Sequence, residues 1–346
     1  MLSMFAPAGT RSLDGLSAVV TGGSRGLGLL IAEQLVARGC AVTIAARDGD
    51  ELDRAREYLT RDRDGAAVRT ARCDVADRGQ MTALMQDAAL AQGGLDVVVA
   101  NAGIIQVAPL DALGPRDFAS ASDTIFMGAV HTALEALPWL RRSPAGGRLA
   151  LIGSVGGLVA APHLLPYSCA KFAVAGLADG LHAELAGSSV SVTAVHPGLM
   201  RTGSHVAAEF GGRQQQEFGW FSAAAGSPLL SMDARRAASR IVTAVERRRT
   251  RLVLTPAAKA ADLGRGVAPV LTTRLTALMS RALPSAPFDD RVPTMAPGRE
   301  VEAAADKDLP PVLRRLRSWG SALNDRASAR LNQRGGAHRG PQRGLA

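Results

Sequence analysis

The chain has 346 residues, 47% of them hydrophobic, so it can bury a full core and global disorder is excluded. A formal charge of +9 would ordinarily suggest nucleic acid or an anionic membrane as partner. Here Lys171, Lys259 and Lys307 are the only lysines, and the arginine excess beside abundant Ala and Gly is read as the mark of a GC-rich coding sequence.

The pass along the chain begins with an arm, residues 1 to 13, that lacks the charged start and apolar run of a signal peptide. From Leu16 short apolar runs alternate with helix-period segments, the signature of βαβ units around a parallel sheet buried on both faces. Strands are predicted at Ser17 to Val20, Ala41 to Ala45, Ala67 to Arg72, Leu95 to Ala100, Arg148 to Ile152, Ser191 to Val195 and Arg251 to Leu254. Helices are predicted at Leu27 to Arg38, Asp50 to Arg61, Arg78 to Gln92, Pro115 to Leu140 and Tyr167 to Leu185, one in each interval but the last. The fold class is α/β, a doubly wound, Rossmann-like sheet of seven parallel strands with helices on both faces and a C-terminal extension.

Between Ser204 and Leu230 the rhythm breaks into an aromatic cluster, Phe210, Phe218, Trp220 and Phe221, read as a substrate lid. Beyond Pro256, Gly264, Gly266 and Pro269 interrupt a semi-apolar stretch, and the domain is expected to end near Leu283. The tail, residues 284 to 346, offers one amphipathic candidate, Pro311 to Leu331, with Leu313, Leu316, Trp319 and Leu323 at helical spacing; Arg334 to Ala346 is expected to be disordered. Eleven basic and five acidic residues between Arg291 and Ala346 concentrate the charge there. A membrane-surface attachment by this tail is open, but a solvated or docked helix is the commoner outcome. No stretch approaches the ~18 uninterrupted apolar residues of a membrane span.

The chemistry begins at the end of the first strand, where Thr21-Gly22-Gly23-Ser24-Arg25-Gly26-Leu27-Gly28 runs straight into an apolar helix. Glycines let backbone approach a pyrophosphate, and the free amides and positive dipole end of the helix favour the anion. A glycine-rich turn without ligand is the plain alternative. The second strand ends Ala45-Ala46-Arg47, where an arginine suits a 2′-phosphate; with Arg25 beside the loop this favours NADP, with NAD possible because Asp48 follows at once. Arg47 equally reads as an exposed residue at a helix start. Asp74-Val75 and Asn101-Ala102-Gly103 also lie at strand ends, where they suit an adenine amino group and a cofactor packed on bare backbone. Taken singly, each reads better as a turn-former.

The strongest constellation is Ser154 at the end of the fifth predicted strand, with Tyr167 and Lys171 thirteen and seventeen residues later, the latter two on one helix face. A phenol with its ordinary pKa near ~10 needs a cation to exchange a proton at neutral pH; lowering it to ~7 takes ~4 kcal/mol. An ammonium at ~4 Å in an effective dielectric of ~20 supplies about that much. Ser154 then holds a substrate oxygen against Tyr167.

Together these residues resemble the short-chain dehydrogenase/reductase family in its compact single-domain branch, over roughly Leu16 to Pro256, with Tyr167-Ser168-Cys169-Ala170-Lys171 and Pro197-Gly198 with Thr202 in family order. The resemblance implies that Tyr167 is the general acid/base, that Lys171 tunes it and holds the nicotinamide ribose, that Ser154 orients the substrate, and that Pro197, Gly198 and Thr202 lie by the nicotinamide amide. It also implies homo-oligomers. One position departs: Ile125 stands where the family usually has a catalytic asparagine that supports a water relay to the lysine.

The reading is therefore an NADP(H)-dependent oxidoreductase interconverting a secondary alcohol and a ketone on a mostly apolar small molecule. A nucleotide-binding regulatory protein of the same fold with little turnover is the alternative, favoured by Ile125. No nucleic-acid partner and no metal are expected: Cys40, Cys73 and Cys169 show neither CxxC nor Cys/His spacing, and His131, His163, His182 and His196 read as structural. Three cysteines without a disulfide framework fit a reducing cytoplasm.

Overall fold

The computed structural model describes residues 12–63, 65–227, 230–285, 295–308 and 324–333. In chain order the elements are β1 (Ser17–Thr21), α1 (Gly26–Val36), β2 (Ala41–Ala46), α2 (Gly49–Thr60), β3 (Val68–Arg72), α3 (Arg78–Gln92), β4 (Val97–Ala100) and the two-residue β5 (Gln106–Val107). There follow α4 (Pro115–Ala121), a π-helical turn (Ser122–Met127), α5 (Gly128–Leu140), β6 (Arg148–Ile152), α6 (Leu165–Glu184), β7 (Ser191–His196), β8 (Leu199–Arg201) and β9 (Glu209–Phe210). The chain continues through α7 (Gln214–Gly226), β10 (Ser231–Asp233), α8 (Ala234–Glu246), β11 (Arg251–Val253), α9 (Pro256–Val267), α10 (Pro269–Ser280), β12 (Ala296–Pro297) and α11 (Gly298–Asp308), and residues 324–330 are again helical.

Seven strands form one parallel sheet, as the alternating pattern predicts, and their order is β11-β7-β6-β4-β1-β2-β3. The two-residue period of a strand divides it between two cores. Ala18, Val20, Val42, Ile44, Val97 and Val99 pack with α1, α2 and α8 on one face. Val19, Val98, Ala100, Leu149, Leu151 and Val192 pack with α3, α5 and α6 on the other. Local chemistry sets the helix starts: Asp48, Asp77 and Asp233 each accept a backbone amide at an N-cap, and Gly93 closes α3 in the left-handed region at φ +75°.

Several expectations need correction. The helix expected from Pro115 to Leu140 is α4 and α5 joined through the π-helical turn. The last interval holds two helices, α7 and α8, and the stretch after Pro256 is a helical pair: Pro256 and Pro269 sit in first turns, where a missing N–H costs nothing. The aromatic cluster does not line an open pocket. Phe210, Phe218 and Phe221 are buried against one another in a small third core with Val107 and Val301, their rings 5.3 and 5.9 Å apart edge to face.

The chain also returns beyond Leu283. β12 pairs antiparallel with β9, and Leu331 joins the core beside α1. Of the amphipathic candidate, Pro311 to Leu323 lies outside the described residues, as does Arg334 to Ala346. No helix among the described residues is long and apolar enough to cross a membrane.

Candidate active site

Most of the expected site residues lie about the carboxyl ends of β1, β4, β6 and β7, where open α/β sheets bind ligands, while Arg47 and Asp74-Val75 follow β2 and β3. At β1 the turn is held from the side: the Asn101 amide donates to the carbonyls of Thr21 and Gly22, both at 3.1 Å, and its backbone N–H donates to Thr21 Oγ1. Asn101 thus serves as a strut of the glycine loop. Gly28 lies so close to the Gly22 carbonyl and the Asn101 amide that no side chain fits there. Gly26, at φ +56°, turns bare backbone toward Thr202, and α1 begins at that residue with its first amides free of intrahelical partners.

Ser154 caps a short turn after β6. Its Oγ accepts the Gly156 N–H at 3.0 Å, and its hydroxyl acts on the Tyr167 phenol in the lowering direction. Two glycines bring the groups together: Gly156 packs on the Tyr167 ring, and Gly157 leaves room only for the Lys171 backbone. The Lys171 side chain is 5% exposed; its Nζ donates to Ile152 O at 2.6 Å and lies 5.8 Å from the Tyr167 ring centroid. Burial pushes the ammonium down to about 8. The phenol is held above its ordinary value, burial outweighing the lowering effect of Ser154. Lys171 in this state is turned to a carbonyl, and the depression of the phenol expected from it is not present.

Val155 N–H donates to Pro197 O at 2.8 Å, tying the Ser154 turn to the Pro197-Gly198 loop, and Gly198 packs against Thr255. Thr202 Oγ1 accepts the Ser204 N–H. Ile125 is 1% exposed in the π-helical turn and faces a crevice too narrow for a water molecule, lined also by Thr21, Ala100, Ala102 and Val174. A Cβ at Gly103 would lie 3.6 Å from Ile125 and 3.9 Å from Lys171 Nζ, so the side chain at 125 brings no polar atom to the ammonium. Asp74 accepts the Ala76 N–H in a local turn, and Val75 O meets His131 Nδ1.

Three groups escaped the sequence reading. Glu51, 5% exposed, accepts from Arg25 and from Ser24 Oγ, both at 2.9 Å, so one of the two expected guanidinium groups is already paired while Arg47 stands exposed. The spacing Asp48 to Glu51 shows only a helix start. The second group is Glu217 on α7, fully buried: it takes His163 Nδ1 at 2.9 Å and Trp220 Nε1 at 2.6 Å, latching α7 to the loop before Tyr167. His163 is held at φ 61°, a strained setting for a residue with a side chain.

The third is a clasp around His205. Gly203 N–H donates to Asn324 Oδ1, so Asn324 Nδ2 donates to His205 Nδ1, and the remaining proton on Nε2 points to Asp325 at 3.1 Å. Glu302 lies near enough to suggest a metal ligand set with His205 and Asp325. The hydrogen-bond order leaves Nε2 no lone pair to give, so this cluster is a structural joint. Among the thiols, Cys40 and Cys73 are buried and raised to about 12 and about 11, chiefly by burial; Cys169 is exposed.

A family model described as short chain dehydrogenase matches residues 17–209. An oxidoreductase of Botryotinia fuckeliana is 33% identical over 183 residues, 53% of this chain and 65% of that protein. A chloroplastic tropinone reductase homologue of Arabidopsis thaliana is 34% identical over 192 residues, 55% of this chain and 59% of that one. The chain thus spans about three fifths of the length of these relatives. A short chain dehydrogenase/reductase of Burkholderia phymatum, solved in complex with NAD, superposes with a TM-score of 0.69 at 25% identity, covering 80% of this chain and 99% of that one. A short-chain dehydrogenase of Streptomyces avermitilis gives 0.65 at 27%, covering 77% and 98%.

Proposed function

The chain belongs to the short-chain dehydrogenase family, and from that premise we propose that it transfers a hydride between NADP(H) and a secondary alcohol or ketone of a mostly apolar small molecule. The observation that carries the reading is the convergence of Ser154, Tyr167 and Lys171 beside the glycine loop. The residues fit a dinucleotide: bare backbone at Gly22 and Gly26, the amino end of α1, and Thr202 across from Gly26 make a cradle of the right chemistry for a pyrophosphate. A bound nicotinamide supplies or accepts the hydride.

Every other step is the chain's own. Ser154 donates a hydrogen bond to the substrate oxygen and holds it against Tyr167. The raised phenol keeps its proton through neutral pH, ready to give it to a carbonyl being reduced. Lys171, at about 8, is charged at pH 7; turned from Ile152 O toward Tyr167, its ammonium would stabilise the phenolate left behind. Oxidation needs the phenol already deprotonated, so kcat/KM for the alcohol rises with pH above neutrality while that for the ketone falls. The Glu217 latch to His163 holds α7 against the loop that leads into Tyr167.

Arg25 and Arg47 support NADP; the Arg25–Glu51 pair is the observation that favours NAD. The buried Ile125 favours slow turnover, as a nucleotide-sensing protein would show. The three free cysteines support a reducing, cytoplasmic setting, and homo-oligomers are proposed on family grounds.

The test is fluorescence titration with NADPH and NADH, then single-turnover oxidation against a panel of apolar ketones, for the wild type, Tyr167→Phe and Glu51→Gln. We expect both cofactors to bind, turnover to drop by at least ~10³-fold in Tyr167→Phe, and Glu51→Gln to shift preference toward NADPH by about tenfold, the equivalent of ~1.4 kcal/mol. Binding without turnover on any ketone would establish the regulatory reading in its place.

A further inference from the structure

The last described stretch of the chain lies across the glycine loop. The helix at 324–330 ends, Leu331 is buried beside α1, and Asn332 turns in the left-handed region at φ 58°. There Gly26 N–H, one of the amides of α1 placed for a phosphate, donates instead to Leu331 O at 3.0 Å. Asn332 Nδ2 donates to Ser24 O and Glu51 O, both at 2.9 Å, and its Oδ1 accepts from Arg54 Nε at 2.9 Å. Gln333 Nε2 donates to Thr202 O at 3.3 Å, and a Cβ on Gly26 would meet that nitrogen at 2.8 Å. Gln333 therefore stands between the glycine loop and Thr202.

We infer that residues 324–333 form an internal ligand of the cofactor cradle: a strap that fills the pyrophosphate position and must leave before a dinucleotide enters. The inference rests on the dinucleotide reading of the glycine loop and adds a competitor for it.

Three observations support a built contact. Gly203, at φ +73°, lies directly against the backbone of Ser328, an approach that only glycine permits. Asn324 and Ser328 are fully buried. Asn324 is fixed by both Gly203 and His205, so the strap is anchored one residue beyond Thr202. The group it offers to the positive end of α1 is a neutral carbonyl, where a pyrophosphate brings negative charge. The cradle accordingly holds the strap when empty and prefers the dinucleotide when one is present. Apparent affinity is then the intrinsic affinity scaled by the fraction of molecules with the strap released.

The experiment uses the full chain as wild type, Asn332→Ala and Leu331→Asp, titrated with NADPH and NADH, with hydrogen exchange of residues 324–333 followed in each. Both variants are expected to bind cofactor at least fivefold more tightly than wild type. In the wild type, exchange protection of 324–333 should be present without cofactor and lost at saturation. Wild-type binding with unchanged or weaker binding in both variants, or protection that rises with cofactor, would overturn the strap and leave the enzyme reading standing. Protected residues 324–333 in a chain that binds neither cofactor in any form would overturn the dinucleotide reading and the competition together.

Discussion

At the scale of single residues, the site shows what its groups cost the fold. Lys171 is an almost fully buried amine whose main compensation is one carbonyl, Ile152 O. Between about 8 and its ordinary 10.5 the folded chain binds fewer protons at this group than the unfolded chain. Stability therefore rises with pH across that window, and below it the buried charge is a constant burden. Lys171→Met should be more stable than wild type at pH 7, by ~1–3 kcal/mol after the lost hydrogen bond is counted, and should lose turnover. Urea midpoints at pH 7 and pH 10.5 check this; an advantage that does not shrink at the higher pH would disprove it. His196 acts on the acid side: burial holds its pKa below 6.5, so stability falls as pH drops through that value. At this scale the sequence reading reached Ser154, Tyr167 and Lys171, because rare residue types at fixed spacing on one helix face carry their own meaning. It did not reach Glu51, whose partner Arg25 lies 26 residues away and is brought to it only by the sheet.

At the scale of elements, legibility followed the hydrophobic period. β1, β6 and α3 begin within a residue of where the pattern puts them, since strands buried on both faces and capped helices announce themselves. α7 was hidden because its inward side mixes Phe218, Phe221 and Ala225 with Glu217, which no apolar stripe would include. α9 and α10 were hidden by prolines that start helices as readily as they end them. The α7 latch carries a prediction of its own. Glu217→Ala leaves the His163 ring nitrogen and the Trp220 N–H without the acceptor they share, at a cost of ~1–3 kcal/mol. Thermal melts should show that loss, and steady-state kinetics should show a raised KM for the ketone with cofactor affinity unchanged; a fall in kcat alone would place Glu217 in the chemistry instead.

At the scale of the whole molecule, the seven-stranded parallel sheet was legible from alternation alone, but its strand order and the return of the chain after α10 were not. Contacts of Asn324 and Asn332 join positions more than a hundred residues apart, and nothing local in their sequence marks a destination. The surface of α10 was equally hidden. Val270, Leu271, Leu275, Leu278 and Met279 recur at helical spacing and are 52–64% exposed. An apolar stripe of that extent favours association over solvation. The double substitution Leu271→Gln and Leu278→Gln should weaken retention on a hydrophobic resin and lower self-association with rising concentration, while leaving stability within ~0.5 kcal/mol. Unchanged retention would show that the stripe is covered in solution.

The distribution of sulfur also makes the molecule its own reporter. Two of the three thiols are shut inside the two cores and held protonated by burial, while Cys169 is open to solvent two positions from both Tyr167 and Lys171. A maleimide dye added to the native chain should attach at a single place, on the outward face of α6 opposite the one that carries Tyr167 and Lys171, with no engineered mutation. Its emission would then report on α6 from the solvent side in real time, and labelling of the other two thiols would time the opening of the cores.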